Sequence, residues 1–415
     1  MTIDATQRPP LMSERRVSLI GAMLAAIGPI SMALYTPAMP EIVRAFGTTE
    51  AAVKMSLSLY FGGFAFAQLV CGPLSDGFGR RPVTVAFMAI YTLASLAAVL
   101  APNIEMLIAA RLAQGVGAAA GIAISRALVR DIFTGQQSAR VMNLIGIILA
   151  IGPALSPTVG GIILDFFGWH EIFVAMAAAG MAVAATAIFA MRETVERDLS
   201  RIRPVALLKS YGALLANRQF MSAGLTNAGA PGAIYALATM LPFILMERVG
   251  LTPRQFGFAM LMQSLSFLTG SYVMRLCMRR WRADAIMPAG LVLITIASVA
   301  LAVGMRMSEP TLLNVMLPVA LYAAGMGFVI SPMTTAALSP FPERAGAASA
   351  LFGFLQMGAG LLGGTVAAAM GDPVTAIGTV IPALGMISVC SWLVWRSLPE
   401  HRTGKARDVI IEPVE

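Results

Sequence analysis

Arg111 sits inside the apolar run LIAARLAQGVGAAAG, with Gln114 and Gly115 three and four residues on. A charge in mid-membrane costs at least about 2.5–3.5 kcal/mol on insertion scales, so such a residue is rarely kept without use. Its partner is not obvious in the sequence. Either it binds a small organic anion directly, or it hydrogen-bonds backbone carbonyls and snorkels outward. Arg126 is the other basic residue left inside an apolar run. Tyr35, Tyr60, Gln68, Gln114, Asn143, Asn227, Tyr235, Gln263, Tyr322 and Gln356 also fall inside such runs. Amides and phenols in an apolar cavity suit an uncharged or amphipathic drug-like molecule. Each could equally make an interhelical hydrogen bond.

All 21 acidic residues lie in termini, in loops or within about a turn of a helix end. The titratable groups nearest the runs are Asp76, Asp131, Glu41 and Asp165. There is no P-loop, no HExxH and no paired-cysteine metal site, and His170 and His401 are the only histidines. GVGAAAG, from Gly115 to Gly121, has no preceding strand and reads as helix packing rather than a dinucleotide loop. No catalytic residue, metal or cofactor is therefore expected. Cys71, Cys277 and Cys390 read as packing residues.

These residues need elements that hold them in lipid. The chain has 415 residues, 58% hydrophobic and 12% charged, with a mean hydropathy of +0.78. Soluble chains carry roughly 25% charged residues, so a soluble enzyme, a disordered chain and a secreted disulfide scaffold are excluded. Apolar runs near 17–40, 53–75, 82–101, 104–127, 140–164, 169–191, 221–247, 255–276, 285–305, 311–336, 345–370 and 373–396 predict twelve transmembrane helices. The long polar break after Arg192 divides them six and six. The expected domains are a tail 1–16, a six-helix bundle 17–191, a central loop 192–220, a second bundle 221–396 and a tail 397–415, the layout of a transporter built from two pseudo-repeats. A short amphipathic helix lying on the membrane is expected near Pro204–Arg218.

The basic residues sort by side. With both termini cytoplasmic, 22 of the 29 Lys and Arg fall on the cytoplasmic side, against Arg44, Lys54, Arg248, Arg254 and Arg306 opposite. The net charge of +8 is thus topology, not a nucleic-acid footprint. A multi-pass protein of a bacterial-type inner membrane is expected, with the lipid bilayer and a small molecule as partners. A monomer is expected to suffice. MTIDATQRPPLMSERR lacks an apolar stretch with a cleavage site, so no removable signal peptide is expected.

Between the second and third runs stands GPLSDGFGRRPV, from Gly72 to Val83. A turn this short needs glycine, and Asp76 with Arg80 and Arg81 offers an ionic latch. The segment resembles the signature loop of the major facilitator superfamily, G-x-L-[SA]-D-[RK]-x-G-[RK]-[RK], through Gly72, Leu74, Ser75, Asp76, Gly79, Arg80 and Arg81. Gly77 stands where a basic residue is usual. Arg111, Gln114 and Gly115 resemble the family's R-x-x-Q-G motif, and IGPALSPTVGG resembles its antiporter motif through Gly152, Pro153, Gly160 and Gly161. YTPAMPEI, SRALVRDIF, FFGWHEIF and FPERAGAASALFGFLQ together look like the bicyclomycin and chloramphenicol resistance (Bcr/CflA) branch.

The resemblance implies the major facilitator fold and proton-coupled export of drug-like compounds across the inner membrane by alternating access. Within it Arg111 tunes the proton affinity of a nearby carboxylate, with Asp76, Asp131 and Glu41 as further coupling candidates. One departure matters: the branch often has an acidic residue two positions before the Tyr of Y-x-P, and here that position is Ala33. The alternatives are uptake or exchange of an organic anion held by Arg111, and a receptor or scaffold without flux.

Overall fold

A computed structural model describes residues 11–202 and 204–398, and all secondary structure among them is helical. Most of both expected tails, with Arg8, His401, Arg402, Lys405 and Arg407, lies outside the described residues, as does Arg203. The first half contains α1 (Glu14–Tyr35), the short α2 (Met39–Phe46), α3 (Glu50–Phe78), α4 (Arg80–Val99), α5 (Ile104–Ile132), α6 (Gly135–Phe167) and α7 (Trp169–Phe189). After the short α8 (Pro204–Ala216) come α9 (Arg218–Pro242), α10 (Pro253–Cys277), α11 (Ala283–Met307), α12 (Leu312–Leu338), α13 (Ala345–Met370) and α14 (Pro373–Ser397). Apart from α2 and α8 these are twelve long helices in two sets of six.

At 1.5 Å per residue about 20 residues cross the hydrocarbon core, and α4, the shortest of the twelve, has 20. Eleven are also apolar enough by composition. The twelfth, α10, is 25 residues long but carries Gln263 and Ser264 in its interior, and both face the central cavity described below. Its polarity belongs to that position.

Local chemistry sets the boundaries. Thr49, Asn103, Asn217 and Asp372 each accept a backbone N–H three residues on, starting α3, α5, α9 and α14. Thr252 with Gln255 and Thr311 with Asn314 form reciprocal capping boxes at α10 and α12. The prolines of YTPAMPEI fall in a 3-10 turn, Thr36–Ala38, and in the first turn of α2, where a missing N–H costs nothing.

Each half closes around its own core, for example Phe61, Leu107 and Ile124 in the first and Leu237, Ile294 and Ile381 in the second. The side where α1 begins and α14 ends is here called the terminal side. The halves touch on the opposite, far side. A Cβ on Gly161 of α6 would stand 2.4 Å from the Pro253 carbonyl oxygen, and Thr158 Oγ1 donates to the Gly257 carbonyl at 2.9 Å. The Phe61 and Tyr235 rings pack with centroids 5.4 Å apart. Lys54, counted from sequence among the loop charges, is instead fully buried there. Nearer the terminal side the halves still meet along α3 and α13, where the Phe66 and Phe354 ring centroids are 5.3 Å apart.

α8 lies close to the expected short helix. Tyr211 and Leu214 are buried while Val205, Leu208 and Leu215 are exposed. The Tyr211 hydroxyl donates to the Leu69 carbonyl at 2.6 Å, so α8 docks on α3. Burial pushes that phenol up to about 12, which keeps it a donor.

Candidate functional site

The turn between α3 and α4 is one residue, Gly79, at a φ of +103°. It brings the buried Arg80 against two partly exposed carboxylates: Arg80 pairs with Asp76 at 2.5 Å and with Asp131 of α5 at 3.0 Å, and donates to Ser75 Oγ at 2.6 Å. Arg81 takes no part. Its guanidinium donates to the Ile188 carbonyl at 2.6 Å, and Glu193 accepts both backbone N–H groups of Arg80 and Arg81. The latch geometry therefore rests on Arg80, not on both arginines as expected from the segment. Gly77 has its own reason. The Asp198 N–H bonds its carbonyl at 2.9 Å, and a Cβ at position 77 would meet Ile202 Cγ1 at 2.4 Å, so the connecting segment packs where the family's basic side chain would project. No atom lies within 4 Å of a Cβ built on Gly72.

Arg111 is fully buried within the first half. Its guanidinium carbon stands 4.4 Å from the Tyr35 ring centroid and 4.3 Å from that of Tyr60, with Phe173 at 5.9 Å. One guanidinium nitrogen donates to Gln114, whose amide donates to Ser95 Oγ at 2.7 Å. The phenols are occupied: Tyr35 bonds Ser56 at 2.7 Å and Tyr60 donates to the Gly28 carbonyl at 2.8 Å. Aromatic faces hold this cation, an interaction worth about 2 kcal/mol or more when desolvated. Asp76 and Asp131 sit together at the terminal-side turn, while Glu41 on α2 is on the far side. Neither outward snorkelling nor contact with those carboxylates describes Arg111.

Between the halves lies a cavity of about 330 Å³. Of the residues singled out from sequence, Gln68, Tyr235, Gln263, Gln356 and Pro153 line it. Tyr35, Tyr60, Arg111, Gln114, Asn227 and Tyr322 are buried in the bundles instead, and Asn143 on α6 is exposed outside the cavity lining. Those seven are corrected as cavity residues: helical periodicity gives a face but not what covers it. The antiporter-like residues divide too. A Cβ on Gly160 would stand 2.3 Å from the Leu34 carbonyl oxygen of α1, and one on Gly152 3.0 Å from the Ile30 side chain. These two serve packing inside the first half, and Gly161 serves the contact between halves.

Two further residues of the wall stand outside the expected cavity set. Ala33 lies on the wall, so the position that the resemblance expects to be acidic does face the cavity. Arg126 of α5 also lines it, its Nη1 3.5 Å from Ser349 Oγ of α13 across the gap. Its signal was its place as the second in-run charge. The wall is otherwise apolar and amide-bearing, with Met32, Met260 and Met357, and carries no carboxylate among the described residues.

Residues 21–364 match the family model of the Major Facilitator Superfamily. The uncharacterized MFS-type transporter YdgK of Bacillus subtilis (strain 168) is 30% identical over 388 residues, 92% of this chain and 95% of that protein. Multidrug resistance protein D of Escherichia coli (strain K12) is 26% identical over 392 residues, 94% of this chain and 98% of the relative. Among solved structures a D-xylose-proton symporter aligns with a TM-score of 0.72 at 13% identity, covering 94% of this chain and 98% of the other. That likeness speaks to the fold.

Proposed function

This chain belongs to the Major Facilitator Superfamily, and we propose that it is a secondary active exporter of small amphipathic, drug-like compounds. The observation that carries the reading is the cavity walled by both halves, which also meet closely on the far side. A binding site at the junction of two repeats that rock about it is what alternating access requires. The basic-residue bias supports a cytoplasmic terminal side in a bacterial-type inner membrane, and loading of the cavity from the cytoplasm is part of the proposal. Multidrug resistance relatives and the Gly-Pro-rich α6 favour the outward direction, and the Bcr/CflA branch, over nutrient uptake.

The Arg80 cluster joins α3, α4 and α5 at the cytoplasmic mouth, where an ionic lock steadies one end of the first half as it moves. Protons are the proposed driving ion. The reading in which Arg111 itself holds an organic anion loses support, because aromatic rings and Gln114 enclose it.

Everted membrane vesicles containing the chain, energised and given the neutral dye Nile Red, test this. Accumulation abolished by a proton ionophore is expected. Accumulation equal to that of vesicles lacking the chain would remove the export reading, and accumulation indifferent to the ionophore would remove the proton.

A further inference from the structure

We infer that the cavity selects amphipathic molecules carrying an acidic group, a carboxylate, phosphonate or sulfonate, with Arg126 as the residue that holds the anionic end. The inference rests on the export reading and narrows its substrate class. Among the described residues Arg126 is the only charged side chain on the wall. Among the described residues no carboxylate pairs with it, and its single polar contact there is the 3.5 Å approach to Ser349 Oγ. A guanidinium so placed keeps most of its donors free in an apolar chamber, which favours a bidentate oxyanion and disfavours a cation. The other in-span arginine offers no such face, since the rings of Tyr35 and Tyr60 cover it.

The rest of the wall fits the remainder of such a molecule. Gln68 and Gln263 each have a buried side-chain oxygen without a hydrogen-bond partner, and these accept from a hydroxyl or amide of the ligand. Met260 and Met357 supply flexible, polarizable apolar surface for its body. Arg126 stands on α5 and Ser349 on α13, one from each half. An anion held by Arg126 therefore lies beside both halves, and its binding reports on both at once.

The test uses three probes with one body: 4-(1-pyrenyl)butanoic acid, its primary amide and 1-pyrenebutylamine. Binding to the full chain in nanodiscs is read by fluorescence polarisation at neutral pH, with protein-free nanodiscs as blank. The acid is expected to bind at least about tenfold more tightly than the amine, with the amide between. Arg126→Gln should bring the acid to within about threefold of the amide, and Arg126→Lys should restore part of the difference. An acid that binds no better than the amine, including no measurable binding of either, overturns the inference on the unaltered protein, whether or not the variants fold. Unchanged acid binding in a folded Arg126→Gln protein overturns the role of Arg126. Vesicle uptake separates the two proposals: charge-selective binding without transport removes export and leaves the anion site, and transport of neutral dye without acid preference does the reverse.

Discussion

Lys54 Nζ of α3 lies 3.1 Å from the carbonyl oxygen of Gly371, the residue that ends α13, so an ammonium of one half rests on the backbone of the other. Glu50 pairs with it at 2.9 Å, and the Phe243 ring stands 5.0 Å away. This is a buried charge at the place where the far side must open if the halves rock.

Lys54→Met should loosen that contact. A hydrogen bond to a charged group contributes about 1.5–3 kcal/mol, so the far-side-open population should rise by about tenfold or more. Ser58 is buried where α3 meets Gly364. A cysteine there should react with a membrane-impermeant maleimide correspondingly faster in the Lys54→Met background. An unchanged rate would mean that Lys54 is only packing.

At the terminal-side turn, Arg80→Gln should reduce dye efflux by about tenfold or more, and Arg81→Gln should reduce it far less. Arg80 gathers Asp76, Asp131 and Ser75, whereas Arg81 meets a backbone carbonyl. Asp76→Asn should follow Arg80→Gln in function while membrane insertion stays intact. Equal defects from the two arginine variants would return the latch to both residues.

For Arg111 the expected defect is structural. A flat guanidinium fits between the Tyr35 and Tyr60 rings and a compact ammonium does not. Arg111→Lys should lose about 2 kcal/mol of stability, seen as a drop of several degrees in melting temperature, while the folded fraction still binds the pyrenyl acid. The opposite pattern, normal melting with lost binding, would make Arg111 a ligand residue.

Ala33→Glu would place a carboxylate on the cavity wall. Relative affinity should then move from the pyrenyl acid toward the amine, by about tenfold at neutral pH. The amine preference should fade as the pH falls and the new carboxyl is protonated. Unchanged selectivity would show that position 33 does not meet the ligand.

In α6, Gly161→Ala should impair transport more than Gly152→Ala. The first Cβ meets the Pro253 backbone of the other half at 2.4 Å, which cannot yield locally, and the second meets a flexible Ile30 side chain at 3.0 Å. Transport assays at matched expression would compare them, and equal activity would deny that the α6–α10 approach is tight in the working cycle.

Twelve spans, their grouping in sixes, the glycine turn with Asp76 and Arg80, and the basic bias of one side were legible because lipid and short turns act on residues locally. A run of about 20 apolar residues has few alternatives to a spanning helix. Which polar residues meet a ligand was decided only by tertiary structure. Arg111 and Arg126 share α5, and fifteen residues of helix is roughly 4.2 turns, which leaves them on neighbouring faces. The difference lies in what covers each level of that helix. α1, α3 and α7 close on Arg111 with Tyr35, Tyr60 and Phe173, while Arg126 meets α13 of the other half only at Ser349 and otherwise faces the cavity. Lys54 shows the same limit from the other side. The sequence counts it among the charges of the opposite side, and only the seating of Gly371 and Phe243 over it makes it a buried link between halves. Sequence periodicity fixes direction around one helix axis; the distance to the next helix comes from how the two bundles pack.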